Sequence, residues 1–232
     1  MTADLGLVRV QRETVQERIY GALRAKLMSG GFEPGQGLKL AELAKAFGTS
    51  ATPVREALNR LIAERALEDL PNRTVRVPTL TSDQLRDLKE ARCAIEGIAV
   101  TRAAQRMTPD AIDALARTIQ AEDGHDAKNA PAESAEQNQL FHFTIYRQAG
   151  SAVLLAIIEN LWLQSGPYLR LASEQIDRRS IAGTKYHSVI LDALRIADGI
   201  AARRGLEADI ERSFALAMDG THDPAEGRRG HG

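Results

Sequence analysis

Apolar residues recur every three or four positions along most of the chain, the period of helices with one buried face. In TVQERIYGALRAKLMSGG, Val15, Ile19, Leu23 and Leu27 share a face. Thr14, with Glu17 three residues on, has the form of a capping box, and Gly30-Gly31 stops the helix. FEPGQGL reads as a loop with a Pro-Gly turn. AELAKAF is a short helix with Leu43 and Phe47 inward, ended by Gly48. In TSATPVREALNRLIAERALEDL, Ser50 or Thr52 caps a helix, and Pro53 fits its first turn, where the missing N–H costs nothing. Val54, Leu58, Leu61 and Ile62 form its buried stripe, which leaves Arg55, Asn59 and Arg60 elsewhere on the surface. ALEDL and TVRVP read as two short strands joined by the turn PNR. Three helices followed by a hairpin predict a winged helix-turn-helix over residues 1–78, with the third helix in the recognition position.

From residue 79 the pattern is helical throughout. Thr81 or Ser82 caps a long helix with the stripe Leu85, Leu88, Ile95 and Ile98. Thr108 caps the next, with Pro109 at its first position. Helices are predicted over 109–122, 132–149, 151–172, 180–198 and 201–217, with loops at GHDAKNAP and SEQIDRRS. Residues 79–218 therefore predict an all-α bundle of about six helices, and 219–232, which have little to bury, a disordered tail. The fold class expected is mainly α: an N-terminal winged helix-turn-helix plus a C-terminal helical bundle.

Composition changes this picture little. Ala, Leu, Arg and Glu dominate and aromatics make up 4%, which favours helix over strand. The single Cys93 excludes an internal disulfide framework and suits a reducing compartment. No apolar run approaches a membrane span, and the N-terminus lacks a signal peptide's apolar centre, so a cytoplasmic protein is expected. Net charge is −1, unevenly placed: residues 1–80 hold 12 Lys+Arg against 9 Asp+Glu, and the remainder 18 against 22. A slightly basic part joined to an acidic part suggests two jobs.

PGQGLKLAELAKAFGTSATPVREALNRLIAERALEDLPNRTVRV resembles the DNA-binding domain of the GntR family of bacterial transcription regulators, with TPVREAL its most specific part. LKEARCAIEGIAV, FHFTIY and HSVILDALRIADGIAA resemble the helical effector domain of the FadR-like branch, called FCD, and six helices suggest its VanR-like subgroup. The resemblance implies a homodimer on a palindromic, double-stranded DNA operator. It also implies a small carboxylate effector in the bundle that changes how the DNA-binding domains are held.

By this resemblance Ser50, Thr52 and Arg55 are the expected DNA contacts, with Asn72 and Arg73 at the wing tip. Arg55 can meet a guanine in bidentate fashion or reach a phosphate, and the hydroxyls suit phosphate oxygens at a positive helix end. Three positions depart from the pattern. Ala51 stands where many relatives have Arg, and a good base-reading interaction is worth roughly 1–3 kcal/mol. Thr74 replaces the wing Gly, and Arg65 replaces the Gly after the recognition helix, where a positive φ is often wanted.

Relatives with a metal site use an Asp and a His four apart on one helix and two later His residues. The matching positions here are Asn138, His142, His187 and Asp209. The carboxylate is absent at one corner and present at another, so the formal ligand charge is kept. Two imidazoles, a carboxylate and an amide oxygen form a credible site for one divalent ion, Zn²⁺, Ni²⁺, Mn²⁺ or Fe²⁺. The alternative is a metal-free pocket in which His142 and His187 are hydrogen-bonded polar groups. Arg92 matches an effector-facing Arg, and its anionic partner is either the effector carboxylate or Glu96, four residues on. Tyr146, Arg147, Tyr168 and Arg170 are further polar candidates, and Trp162 belongs to the core or to a dimer interface.

The leading expectation is thus a ligand-responsive transcription regulator, acting as a repressor. Two alternatives stand beside it: a regulator whose bundle only dimerises, and an enzyme, because two His and a carboxylate also describe non-haem iron sites. No general base can be placed beside that site, and a third of the chain is a DNA-binding module, which argues against the enzyme.

Overall fold

The structure, a computed structural model, describes residues 14–70, 74–126, 131–179 and 184–220. The N-terminal unit comprises α1 (Val15–Met28), β1 (Gly37–Leu38), α2 (Leu40–Ala46), α3 (Ala51–Ala63), β2 (Glu68–Leu70) and β3 (Thr74–Arg76). Thr14 and Glu17 close the capping box on α1: the Glu17 backbone N–H donates to the Thr14 hydroxyl at 3.1 Å, and the Thr14 N–H to the Glu17 carboxylate at 2.7 Å. Ile19, Leu23 and Leu27 pack against Val54, Leu58 and Leu61 of α3, all buried. Val15, expected on the same face, is 53% exposed. Positions four apart drift about 40° per step around a helix of 3.6 residues per turn, and by the first turn the stripe has left the core. Phe47, also expected inward, is a half-exposed C-cap, because α2 ends one residue earlier and buries Ala44 instead.

The wing is a three-stranded antiparallel sheet in the order β1-β3-β2. Its hairpin pairs Glu68 with Arg76 and Leu70 with Thr74, as TVRVP and ALEDL predicted. The third strand, pairing Leu38 with Val75, comes from the segment read as a loop. Two residues are too short to show alternation. Arg65 takes a φ of 60°, the left-handed conformation that its replacement of Gly implied. Thr74 does not: it opens β3 in ladder geometry, so the strain expected there is absent at that residue.

Among the described residues, six helices form the C-terminal unit: α4 (Ser82–Ala104), α5 (Pro109–Asp126), α6 (Pro131–Gln148), α7 (Ala152–Arg179), α8 (Lys185–Arg195) and α9 (Gly199–Gly220). Thr81, not Ser82, caps α4, in a capping box with Gln84. Leu85 and Leu88 are buried, but Ile98 is 46% exposed. The buried face of α4 runs through Arg92, Glu96, Ala99, Val100 and Ala103, so an apolar stripe steps over its polar centre. SEQIDRRS, expected as a loop, is helical through Arg179; its Glu, Gln and Arg residues are good helix formers with no apolar period to reveal them. Likewise α9 extends two residues into the expected tail, and the rest of that tail lies outside the described residues. No helix is long and apolar enough to cross a membrane among the described residues.

One helix, α7, touches both units. Arg24 of α1 pairs with Glu159 at 2.7 Å, and Asn160 donates to the Glu64 carbonyl after α3 at 3.2 Å. A Cβ on Gly166 would stand 2.1 Å from the Leu27 carbonyl oxygen, so only glycine lets α1 approach so closely. The Tyr168 hydroxyl accepts the Leu80 N–H at 2.6 Å and donates to the Pro78 carbonyl at 3.1 Å, clasping the segment between β3 and α4.

Candidate functional site

Two sites follow from this frame. At the first, α2, its turn and α3 form the helix-turn-helix. Ser50 is the N-cap of α3 but makes no cap hydrogen bond, and no acidic residue occupies the first turn. The backbone N–H groups and the positive end of the helix dipole therefore face outward unopposed, an arrangement suited to phosphate. Ser50, Thr52 and Arg55 are all exposed there. Arg60 is engaged elsewhere: its guanidinium lies 3.7 Å from the Tyr20 ring centroid and 3.3 Å from Glu64. Asn72 and Arg73 lie outside the described residues.

The second site is buried in the bundle, where α6, α8 and α9 bring His142, His187 and Asp209 together. Their ligand atoms lie within 4.8 Å of one another. His142 Nε2 is 3.1 Å and His187 Nε2 3.8 Å from the same oxygen, Asp209 Oδ2. Each histidine is held from behind by its other nitrogen. His187 Nδ1 lies 2.8 Å from the Glu122 carboxylate of α5, and His142 Nδ1 lies 3.2 Å from the Tyr146 hydroxyl. Tyr146 in turn donates to Glu96, which is clamped by Arg92 at 2.6 and 3.3 Å. Arg92 also donates to Ser165 at 3.2 Å and lies 4.5 Å from the Trp162 ring centroid.

These contacts have a forced direction. Arg92 can only donate, so Glu96 accepts as a carboxylate. The one Tyr146 proton goes to Glu96, so the Tyr146 hydroxyl offers His142 Nδ1 a lone pair, as Asp209 does at Nε2. Burial lowers the His142 pKa against the pull of Asp209, so the ring is neutral and has one proton to share between its contacts to Tyr146 and Asp209. Burial would raise Asp209, but the His142 hydrogen bond and the His187 charge outweigh it and hold the group low, as a carboxylate. Glu122 likewise takes the Nδ1 proton of His187, and His187 Nε2 is buried without a hydrogen-bond partner among the described residues. Burial pulls the His187 pKa down, yet Glu122 and Asp209 outweigh it and raise it. Two imidazole nitrogens and a carboxylate oxygen thus converge on one point.

Of the other candidates, Asn138 is half-buried one turn before His142 on α6. Trp162 is wholly buried, 5.5 Å from the His142 ring, and belongs to the core. Arg147 is exposed, Tyr168 serves the segment before α4, and Arg170 faces Glu33 at 3.8 Å. Sequence reasoning missed Glu122 because an acid in AEDGHD looks like an ordinary surface charge.

Fold and site define a class: a winged helix-turn-helix joined to a helical domain with a buried polar centre, the build of a DNA-binding regulator. Residues 15–77 match the family model of bacterial regulatory proteins, gntR family, and residues 87–212 match the FCD domain. The chain belongs to the GntR family with an FCD domain, and it is a DNA-binding transcriptional regulator rather than an enzyme. It is 28% identical to the HTH-type transcriptional regulator McbR of Escherichia coli K12 over 213 residues, covering 91% of this chain and 96% of that protein. The solved structure of E. coli McbR/YncC superposes with a TM-score of 0.84 at 27% identity, over 90% of this chain and 99% of the other. The probable D-xylose utilization operon transcriptional repressor of Paenarthrobacter nicotinovorans is 29% identical over 85% of this chain and 86% of its own length.

Proposed function

We propose that the protein is a transcriptional repressor that binds a palindromic operator as a homodimer and senses a small organic acid in its helical bundle, at a divalent metal held by His142, His187 and Asp209. The observation that carries this is the convergence of two imidazole nitrogens and a carboxylate oxygen on one buried point, with His187 Nε2 otherwise unpartnered among the described residues. A cation is what such a point accepts, and N,N,O donors suit Zn²⁺, Ni²⁺, Mn²⁺ or Fe²⁺. Asn138, one turn before His142 on α6, would add a weak oxygen. Three or four protein ligands leave a position for a carboxylate, which is how the effector would be met. Arg92 already has an anion in Glu96, so its part in this scheme is to order Tyr146 and through it His142, rather than to bind the effector directly.

A metal-free pocket is the competing reading, favoured by the raised His187 pKa, since a proton can stand in for a cation. Metal analysis of the purified protein by plasma mass spectrometry, repeated for His142→Ala and His187→Ala, separates the two. Near-stoichiometric metal that disappears in both variants supports the metal reading. No metal after incubation with Zn²⁺, Ni²⁺ and Mn²⁺ overturns it.

A further inference from the structure

We infer that Glu122 is a positioning residue that fixes His187 as the Nδ1–H tautomer, so that its Nε2 lone pair points at Asp209 and at whatever cation the cluster holds. The inference rests on the metal-binding reading for its purpose, but not for its geometry. Glu122 and His187 are both buried, at 4% and 1% exposure, and their 2.8 Å contact is made through Nδ1, the nitrogen away from Asp209. A carboxylate can only accept there, so the proton is placed on Nδ1. The adjacent Asp123 accepts the Thr184 hydroxyl just before α8, so the end of α5 grips the start of α8 at two successive residues. That grip sets both the tautomer and the rotation of the ring. A hydrogen bond to the far nitrogen of a ligating histidine orients the ring and raises its basicity, and losing it typically costs 10–100-fold in metal affinity.

His142 Nδ1 is met by the chain Arg92–Glu96–Tyr146, and His187 Nδ1 directly by Glu122. Both rings therefore present Nε2 to the single carboxylate at Asp209.

The test is a long-range ¹⁵N–¹H correlation spectrum of the metal-free protein at pH 9, with His187 assigned by substitution, beside zinc affinity from competition with a chromogenic chelator. The wild type and Glu122→Gln, whose amide oxygen can still accept the proton, are expected to show the Nδ1–H tautomer. Glu122→Leu is expected to switch His187 to Nε2–H and to lower zinc affinity 10–100-fold, and Glu122→Gln to recover most of that loss. An Nε2–H tautomer in the wild type overturns the inference, whether or not metal binds, and the wild-type spectrum decides even if Glu122→Leu does not fold. A wild type with the Nδ1–H tautomer and no zinc affinity sinks the metal reading while leaving the assignment of Glu122 in place.

Discussion

Glu96→Ala should be among the most damaging single substitutions in the bundle. Glu96 is wholly buried and accepts three hydrogen bonds, two from Arg92 and one from Tyr146. Removing it leaves the Arg92 guanidinium, 2% exposed, bonded to the Ser165 hydroxyl and facing the Trp162 and Phe214 rings, with Asp209 acting on it only through space. Breaking a buried pair from one side costs about 3–5 kcal/mol, because the surviving charge stays desolvated. Against the roughly 5–15 kcal/mol that holds a typical domain, that is about a fifth or more of the total. Urea unfolding followed by far-UV circular dichroism reads the change in midpoint at constant slope. The double variant Arg92→Met/Glu96→Leu should recover most of the loss, since it removes both desolvation costs and keeps volume. A loss below about 1 kcal/mol for Glu96→Ala would refute the reasoning, because Arg92 would then have another anion or free access to water.

Four further outcomes are expected. Arg55→Ala should weaken binding to a duplex selected from a random library by roughly 1–3 kcal/mol in fluorescence anisotropy, with an unchanged melting temperature, because Arg55 is exposed at the start of α3; equal affinity would mean that Arg55 does not touch the DNA. Tyr168→Phe should cost about 1–3 kcal/mol in urea unfolding, since the Leu80 N–H loses its acceptor in a part-buried position; no change would mean that water replaces the hydroxyl. Burial, with Glu211 and Glu207 nearby, pushes the Cys93 thiol to about 11 from an ordinary 9.0, so at pH 8 the thiolate is about a hundredfold scarcer than in the unfolded chain and iodoacetamide should react about a hundredfold more slowly. In metal-free His142→Gln, the raised His187 pKa makes its stabilisation complete below 6.5 and lost as pH climbs through the folded value. Its melting temperature should therefore fall between pH 6 and pH 9, and a flat profile would mean that His187 gains no proton partner on folding.

What could be read from sequence was whatever rests on local periodicity and caps. Thr14, Thr81 and Pro53 announced their helices, and Val54, Leu58 and Leu61 announced the face of α3, because these signals need only neighbours within a turn. β1 was hidden because its partner, β3, lies some forty residues away and two residues carry no pattern. The extension of α7 was hidden because polar helix formers show no stripe. In the candidate site, His142, His187 and Asp209 were placed by resemblance, whereas Glu122 and Tyr146 owe their roles to helix packing that brings α5 beside α8 and turns Tyr146 toward Glu96. A buried carboxylate and a surface carboxylate look the same in a sequence.

The same packing constrains how any ligand in this bundle could act on DNA binding. A ligand shifts an equilibrium only by its differential affinity for the two arrangements. The elements that differ must therefore touch both the ligand and the DNA-binding unit. Helices α4 and α7 meet that condition. α4 carries Arg92 and Glu96 and begins directly after the segment that leaves the wing. α7 carries Trp162 and Ser165 against Arg92 on one face and, through Glu159, Asn160, Gly166 and Tyr168, holds α1, the end of α3 and residues 78–80 on the other. Because Gly166 leaves no room between α7 and Leu27, α7 cannot shift toward α1 without moving it, so a displacement that starts at Trp162 passes to the DNA-binding unit as a rigid step rather than being absorbed.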